Sequence, residues 1–223
     1  MKKINLFILV IFLFQGIYSV AFSQQKVPFQ AAIDAFKKQD SINSPPKGAI
    51  LLVGSSSFTN WKDVQNYFPG YKIINRGFGG SSLPDLIRFA PEIIYPYNPS
   101  QILIYCGEND FPSGVNTTAD TIYNRFTRLF TMIRTNLPKA EVVYVSMKPS
   151  PSRLKYLAEF QRANGMIKNF LKKKQNAAFI DVYSKMILKD GSPRTDIFLG
   201  DQLHMNKEGY LIWQKAFKPY LKK

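Results

Sequence analysis

The chain of 223 residues holds one histidine, His204, and one cysteine, Cys106. A single cysteine excludes an intramolecular disulfide, so stability has to come from a packed core. One His and one Cys leave too few ligands for a zinc site of the usual kinds, and neither a metal nor a cofactor is called for. Acidic residues are scarce as well: 15 Asp and Glu stand against 30 Lys and Arg, a formal net charge of +15. Such a balance suits either solubility or attraction to anionic surfaces such as cell-wall polymers and phospholipid headgroups. It does not point to nucleic acid, because the dense basic run Lys172–Lys174 has no interleaved aromatics and falls on a helical stretch. A comfortable membrane span is missing too. The apolar run Leu6–Phe14 is too short for one.

That run follows Lys2 and Lys3 and precedes small residues at Ala21 and Ser23, which is the layout of a secretory signal peptide over residues 1–23. Removing it leaves residues 24–223 as a single domain with a charge of +13, placed in the periplasm or secreted. Within that domain, five apolar segments recur: "AILLV" (49–53), "KIIN" (72–75), "QILIYC" (101–106), "EVVYVSM" (141–147) and "AAFIDV" (177–182). Their near-continuous apolar character predicts parallel strands covered on both faces. Helical spacing appears over residues 30–38, 117–136, 153–174 and 206–218, the second opening on a capping box at Thr117 and Asp120. The alternation predicts an α/β chain, a five-stranded parallel sheet between helical layers.

In open sheets of this kind, function gathers beyond the carboxyl ends of the strands. There the sequence places "GSSSFTNW" (54–61), "RGFGGSS" (76–82), "GEND" (107–110) and, after the fifth strand, "LGDQLH" (199–204). Each reads as an ordinary turn by itself. "GFGG" is not a dinucleotide fingerprint, and no segment has the Gly-Lys-Ser/Thr of a P-loop. Together they contain the parts for acyl transfer. A serine on a strand-to-helix turn exposes its hydroxyl, a Gly loop lets a backbone N–H approach, an Asn amide adds a donor, and Asp-x-x-His puts a carboxylate within reach of the imidazole.

This set, in this order, resembles the SGNH hydrolases, the GDSL-type esterases and lipases, over roughly residues 46–220. The nucleophile block is similar to a variant branch in which Gly-Ser-Ser-Ser replaces Gly-Asp-Ser. The resemblance implies a flavodoxin-like three-layer α/β/α sandwich and a serine esterase. It makes Ser56 the nucleophile, with Ser55 and Ser57 as neighbouring competitors. Asp201 would orient His204 as base, and Ser56, Gly80 and Asn109 would form the oxyanion hole, with Gly79 one position from Gly80. The implied substrate is a small-molecule, glycan or lipid ester. Alternatives are a lipase or lysophospholipase, a thioesterase, a binding module for acylated glycans, and a thiol hydrolase using Cys106, which sits inside an apolar strand.

Overall fold

The strands of the computed structural model are β1 (Ile50–Gly54), β2 (Ile73–Gly77), β3 (Gln101–Tyr105), β4 (Glu141–Val145) and β5 (Ala177–Ile180). They pair in parallel throughout, in the order β2-β1-β3-β4-β5. The helices are α1 (Gln30–Ile42), α2 (Ser56–Thr59), α3 (Val64–Tyr67), α4 (Leu83–Ile93), α5 (Asp110–Ser113), α6 (Ala119–Asn136), α7 (Leu157–Leu171) and α8 (Lys207–Phe217). The described residues are 27–113 and 116–222, so the export segment expected at 1–23 lies outside them.

Because side chains alternate across a strand, continuous apolar strands feed two cores. Leu51, Val53, Ile102, Ile104 and Val142 pack under α1, α4, α6 and α7. Ile50, Leu52, Leu103, Tyr105 and Val143 pack under α2, α3 and α8, where Phe58, Trp61, Trp213 and Phe217 fill the space. The result is a three-layer α/β/α sandwich with flavodoxin-like strand order. Since β2 and β3 flank β1 on opposite sides, right-handed crossovers put their connections on opposite faces. The carboxyl ends of β1 and β3 are thus the topological switch point, where sheets of this kind bind their ligands.

The elements differ from the sequence pattern at the short helices α2, α3 and α5, at the end of α1, and in three longer helices. Helix α4, which carries Pro84 and Pro91, was not among the helical stretches that the spacing predicts. Pro84 sits in the first turn, where its missing N–H costs nothing, and Leu83, Leu86, Phe89, Ala90 and Ile93 form the buried stripe. Helix α6 is capped by Thr118 with Thr121, one residue beyond the expected Thr117 and Asp120. Thr117 instead donates its hydroxyl to the Asp110 carbonyl at 3.1 Å. Finally, α7 starts at Leu157 after a 3-10 turn over Pro151–Tyr156, later than the apolar spacing from 153 predicts.

Gly54 fixes how closely β1 and β3 approach at their ends. Its φ is +145°, and a Cβ there would lie 1.9 Å from the Tyr105 carbonyl oxygen. Gly54→Ala is therefore expected to lower Tm by about 10 °C or more, or to abolish soluble expression. Gly165→Ala, in open space on α7, should leave Tm unchanged or raise it. A Gly54→Ala protein melting with the wild type in calorimetry would refute the close-approach argument.

Candidate active site

The chain leaves β1 at Gly54 and turns directly into α2. The turn is pinned by the Ser55 N–H, which donates to the Tyr105 carbonyl at 3.0 Å, and by the Asn60 N–H on the Ser56 carbonyl at 2.8 Å. Below it, the Phe58 ring is fully buried, edge-on to Tyr105 and Trp213. Burying that ring forces its neighbours into a fixed presentation. Ser55 and Ser57 are 0% and 1% exposed, whereas Ser56 is half-buried and reaches solvent. The Tyr210 hydroxyl donates to the Ser57 carbonyl at 3.0 Å, tying this turn to α8.

The second and third loops meet beside it. A Cβ on Gly79 would lie 3.8 Å from that of Ser56, so this loop runs along the serine turn. Gly80 is exposed, with φ +82°. Asn109 is nearly buried, and its Nδ2 donates to the Ser81 carbonyl at 3.2 Å. A primary amide has two hydrogens, so one remains for another acceptor. Asp110, opening α5, accepts from the Leu83 N–H at 3.0 Å and from Arg125 Nη1 at 2.6 Å, which joins this loop to α4 and α6. Burial raises the Asp110 carboxyl above its usual range, against the pull of the Leu83 N–H and Arg125. Cys106 donates its thiol to the same Ser81 carbonyl at 3.6 Å. Burial, and then the charge of Asp110, push that thiol well above its ordinary value. It is a neutral, buried thiol and no nucleophile.

The fourth loop is built around Asp201. Its Oδ1 accepts from the backbone N–H groups of Leu203 and His204, both at 2.9 Å, and its Oδ2 lies 2.6 Å from His204 Nδ1. The imidazole bond first, and then the backbone bonds, bring the Asp201 pKa down to about 2. A depressed carboxylate keeps its bonds above the usual carboxylate range and loses them only as pH falls toward that value. Since Asp201 is exposed, this matters for orientation far more than for fold stability. Asp201 does not cap α8. Asn206 does, accepting from the N–H groups of Glu208 and Gly209 at 3.0 and 3.2 Å.

The structure thus brings Ser56, Gly79, Gly80 and Asn109 to one edge of the sheet, with the Asp201–His204 pair on the loop leading to α8. Ser56 and His204 are not hydrogen-bonded to each other, a common state before a substrate draws such groups together. Among the described residues, no group of three or more His, Cys, Asp and Glu side chains is placed to hold a metal ion. The sequence pattern assigned no role to Glu108 in the third loop or to "KPSPS" (148–152), between the fourth apolar run and the helical stretch from 153. A lysine and a glutamate in otherwise apolar strand ends were the available signal.

Residues 43–212 match the GDSL-like lipase/acylhydrolase family. The chain belongs to that family, and so to the serine-dependent carboxylic ester hydrolases. Among solved structures, it superposes with a TM-score of 0.75 on a Streptococcus pneumonia protein provisionally described as a platelet activating factor, 21% identical, covering 86% of this chain and 92% of the other. A GDSL-like lipase from Bacteroides thetaiotaomicron gives 0.73 at 18% identity, covering 84% and 95%. A catalytic mutant of an acetylxylan esterase from Geobacillus stearothermophilus gives 0.62 at 14% identity, covering 78% and 94%. At these identities the likeness is one of fold. No curated protein matches the chain by sequence.

Cys106 should resist iodoacetamide in the native protein, reacting roughly 100-fold more slowly than in denaturant. Cys106→Ala should keep most of the hydrolytic activity. Rapid native alkylation accompanied by loss of activity would return the thiol to consideration.

Proposed function

We propose that the protein is an exported carboxylic-ester hydrolase in which Ser56 is the nucleophile, His204 its base and Asp201 the group that orients the imidazole. The observation that carries this reading is the bond between Asp201 Oδ2 and His204 Nδ1. A carboxylate at Nδ1 holds the proton there and leaves Nε2 with the lone pair that a base needs. Burial of Ser55 and Ser57 supports Ser56 as the hydroxyl that meets substrate.

Ser56 Oγ attacks the ester carbonyl carbon while its proton passes to His204 Nε2. The carbonyl oxygen becomes an oxyanion, met by the N–H groups of Ser56 and Gly80 and by the remaining hydrogen of the Asn109 amide. Collapse breaks the bond to the alcohol, which leaves with the proton from His204. Water, deprotonated by His204, then attacks the acyl carbon; collapse breaks its bond to Ser56 Oγ, which takes the proton back from His204 as the acid leaves. We favour acyl groups on glycans as substrates. Supporting this are the leader-like segment at 1–23, the fold shared with an acetylxylan esterase, and a charge of +13 over residues 24–223 that suits anionic cell-surface polymers.

A fluorophosphonate probe and an ester panel of acetylated sugars, short p-nitrophenyl esters and phospholipids test the assignment together. Ser56→Ala should abolish labelling and turnover, while Ser55→Ala and Ser57→Ala retain both. Full labelling of folded Ser56→Ala would end it, and preference for phospholipids would replace the glycan with a lipid.

Asp201→Asn offers a second measurement. The Asn oxygen can keep the Leu203 and His204 backbone bonds, which turns its NH₂ toward Nδ1 and favours the wrong tautomer. The expected loss is about 10–10⁴ in kcat, smaller than for His204→Ala. Near wild-type kcat would reduce Asp201 to a turn former.

A further inference from the structure

The five residues after β4, 146–150, are buried next to the third loop. Ser146, Met147, Lys148 and Ser150 are each 0% exposed, although loops ordinarily lie on the surface. Lys148 Nζ donates to Glu108 Oε1 at 2.7 Å and to the Tyr105 hydroxyl at 3.1 Å, and lies 5.5 Å from the centre of the Tyr105 ring. Glu108 is 1% exposed, and its second oxygen, Oε2, has no hydrogen-bond partner. Burial, and then the charge of Glu108, keep the Tyr105 phenol protonated.

As a means of stabilising a core this pair is poor. Two desolvated charges with one oxygen unsatisfied do no better than apolar side chains of the same volume. Its position is more informative. Glu108 directly precedes Asn109. Tyr105 holds Lys148 through its hydroxyl while its backbone carbonyl accepts the Ser55 N–H that pins the serine turn. The segment is clamped on both sides. The Asn164 amide pairs with the Met147 N–H and carbonyl at 2.9 and 3.1 Å, and Ser146 Oγ accepts from the N–H groups of Val182 and Tyr183, each at 3.0 Å. At its far end the Ser152 N–H donates to the Gln202 carbonyl at 3.1 Å, between Asp201 and His204.

We infer that the buried Lys148–Glu108 pair is a positioning element, which sets the third loop and hence Asn109 against the serine turn, and that residues 148–152 tie this setting to the Asp201–His204 loop. The inference rests on the Ser56, Asn109 and His204 roles proposed above. Neither Lys148 nor Glu108 touches substrate. They act through their neighbours, as a shared brace for the two halves of the site.

The test is a charge-neutral replacement. Glu108→Gln and Lys148→Met singly leave a buried group mispaired and should lower Tm. The double variant removes both charges at similar volume and should recover most of that Tm. If the pair positions Asn109, the double variant still loses about 10–100-fold in kcat and in fluorophosphonate labelling rate, with KM little changed, because donors matter most as charge develops. Recovery of kcat and labelling together with Tm would overturn the inference and make the pair merely structural. Should the double variant be insoluble, Lys148→Met carries the test, since it removes the bonds to both Glu108 and the Tyr105 hydroxyl. A folded Lys148→Met enzyme with wild-type kcat and labelling rate would be equally fatal. Failure of the wild type to label at Ser56 would overturn the proposed roles and this inference with them. Labelling of the wild type and the double variant at one rate would overturn the inference alone.

Discussion

At the ends of β1 and β3 two backbones come closer than any side chain permits. Gly54 faces the Tyr105 carbonyl, and that same oxygen takes the N–H of Ser55. From this contact the chain has one way out of the strand, into the short turn that presents Ser56. The third loop begins one residue beyond Tyr105, so the same contact sets the distance between the serine and the Asn109 loop. Strand order makes this junction the place where connections part to opposite faces of the sheet.

The two halves of the site are held in different ways. On the Asn109 side the groups are buried and mostly paired, Asn109 on Ser81, Asp110 on Leu83 and Arg125, Lys148 on Glu108 and Tyr105, while Glu108 Oε2 and the Ser81 and Ser150 hydroxyls have no partner. Low exposure makes such bonds geometrically demanding, so this half suits a fixed oxyanion site. On the Asp201–His204 side the loop is exposed, and order comes from three bonds to one carboxylate. An exposed carboxylate stays ionised at little desolvation cost, while the imidazole keeps room to adjust to Ser56.

Much of this was legible residue by residue. The five apolar runs match the strands to within a residue or two, because a strand buried on both faces needs no partner to reveal itself. Asp201 and His204 were equally plain, since three residues on one turn set their own distance. Helix α4 was not expected, and its two prolines are tolerated for reasons of place, Pro84 in the first turn and Pro91 on the exposed face. The α6 cap slipped by one residue because Thr117 and Thr118 are equally good caps, and Thr117 was drawn to the Asp110 carbonyl by a loop distant in sequence.

What the sequence determined by itself is whatever arises from local periodicity: the kinds and order of elements, the sheet class, and the loops in which polar chemistry is concentrated at strand ends. Which of the three adjacent serines is accessible was beyond it, because that depends on the Phe58 ring being buried against Tyr105 and Trp213. The Lys148–Glu108 pair was beyond it for the same reason. "SMKPS" (146–150) has the composition of a solvated loop, and only the packing of β3, β4, α7 and the Asp201 loop around it made it part of the interior. Burial is a sum over neighbours far apart in the chain, so it was decided by the tertiary structure alone.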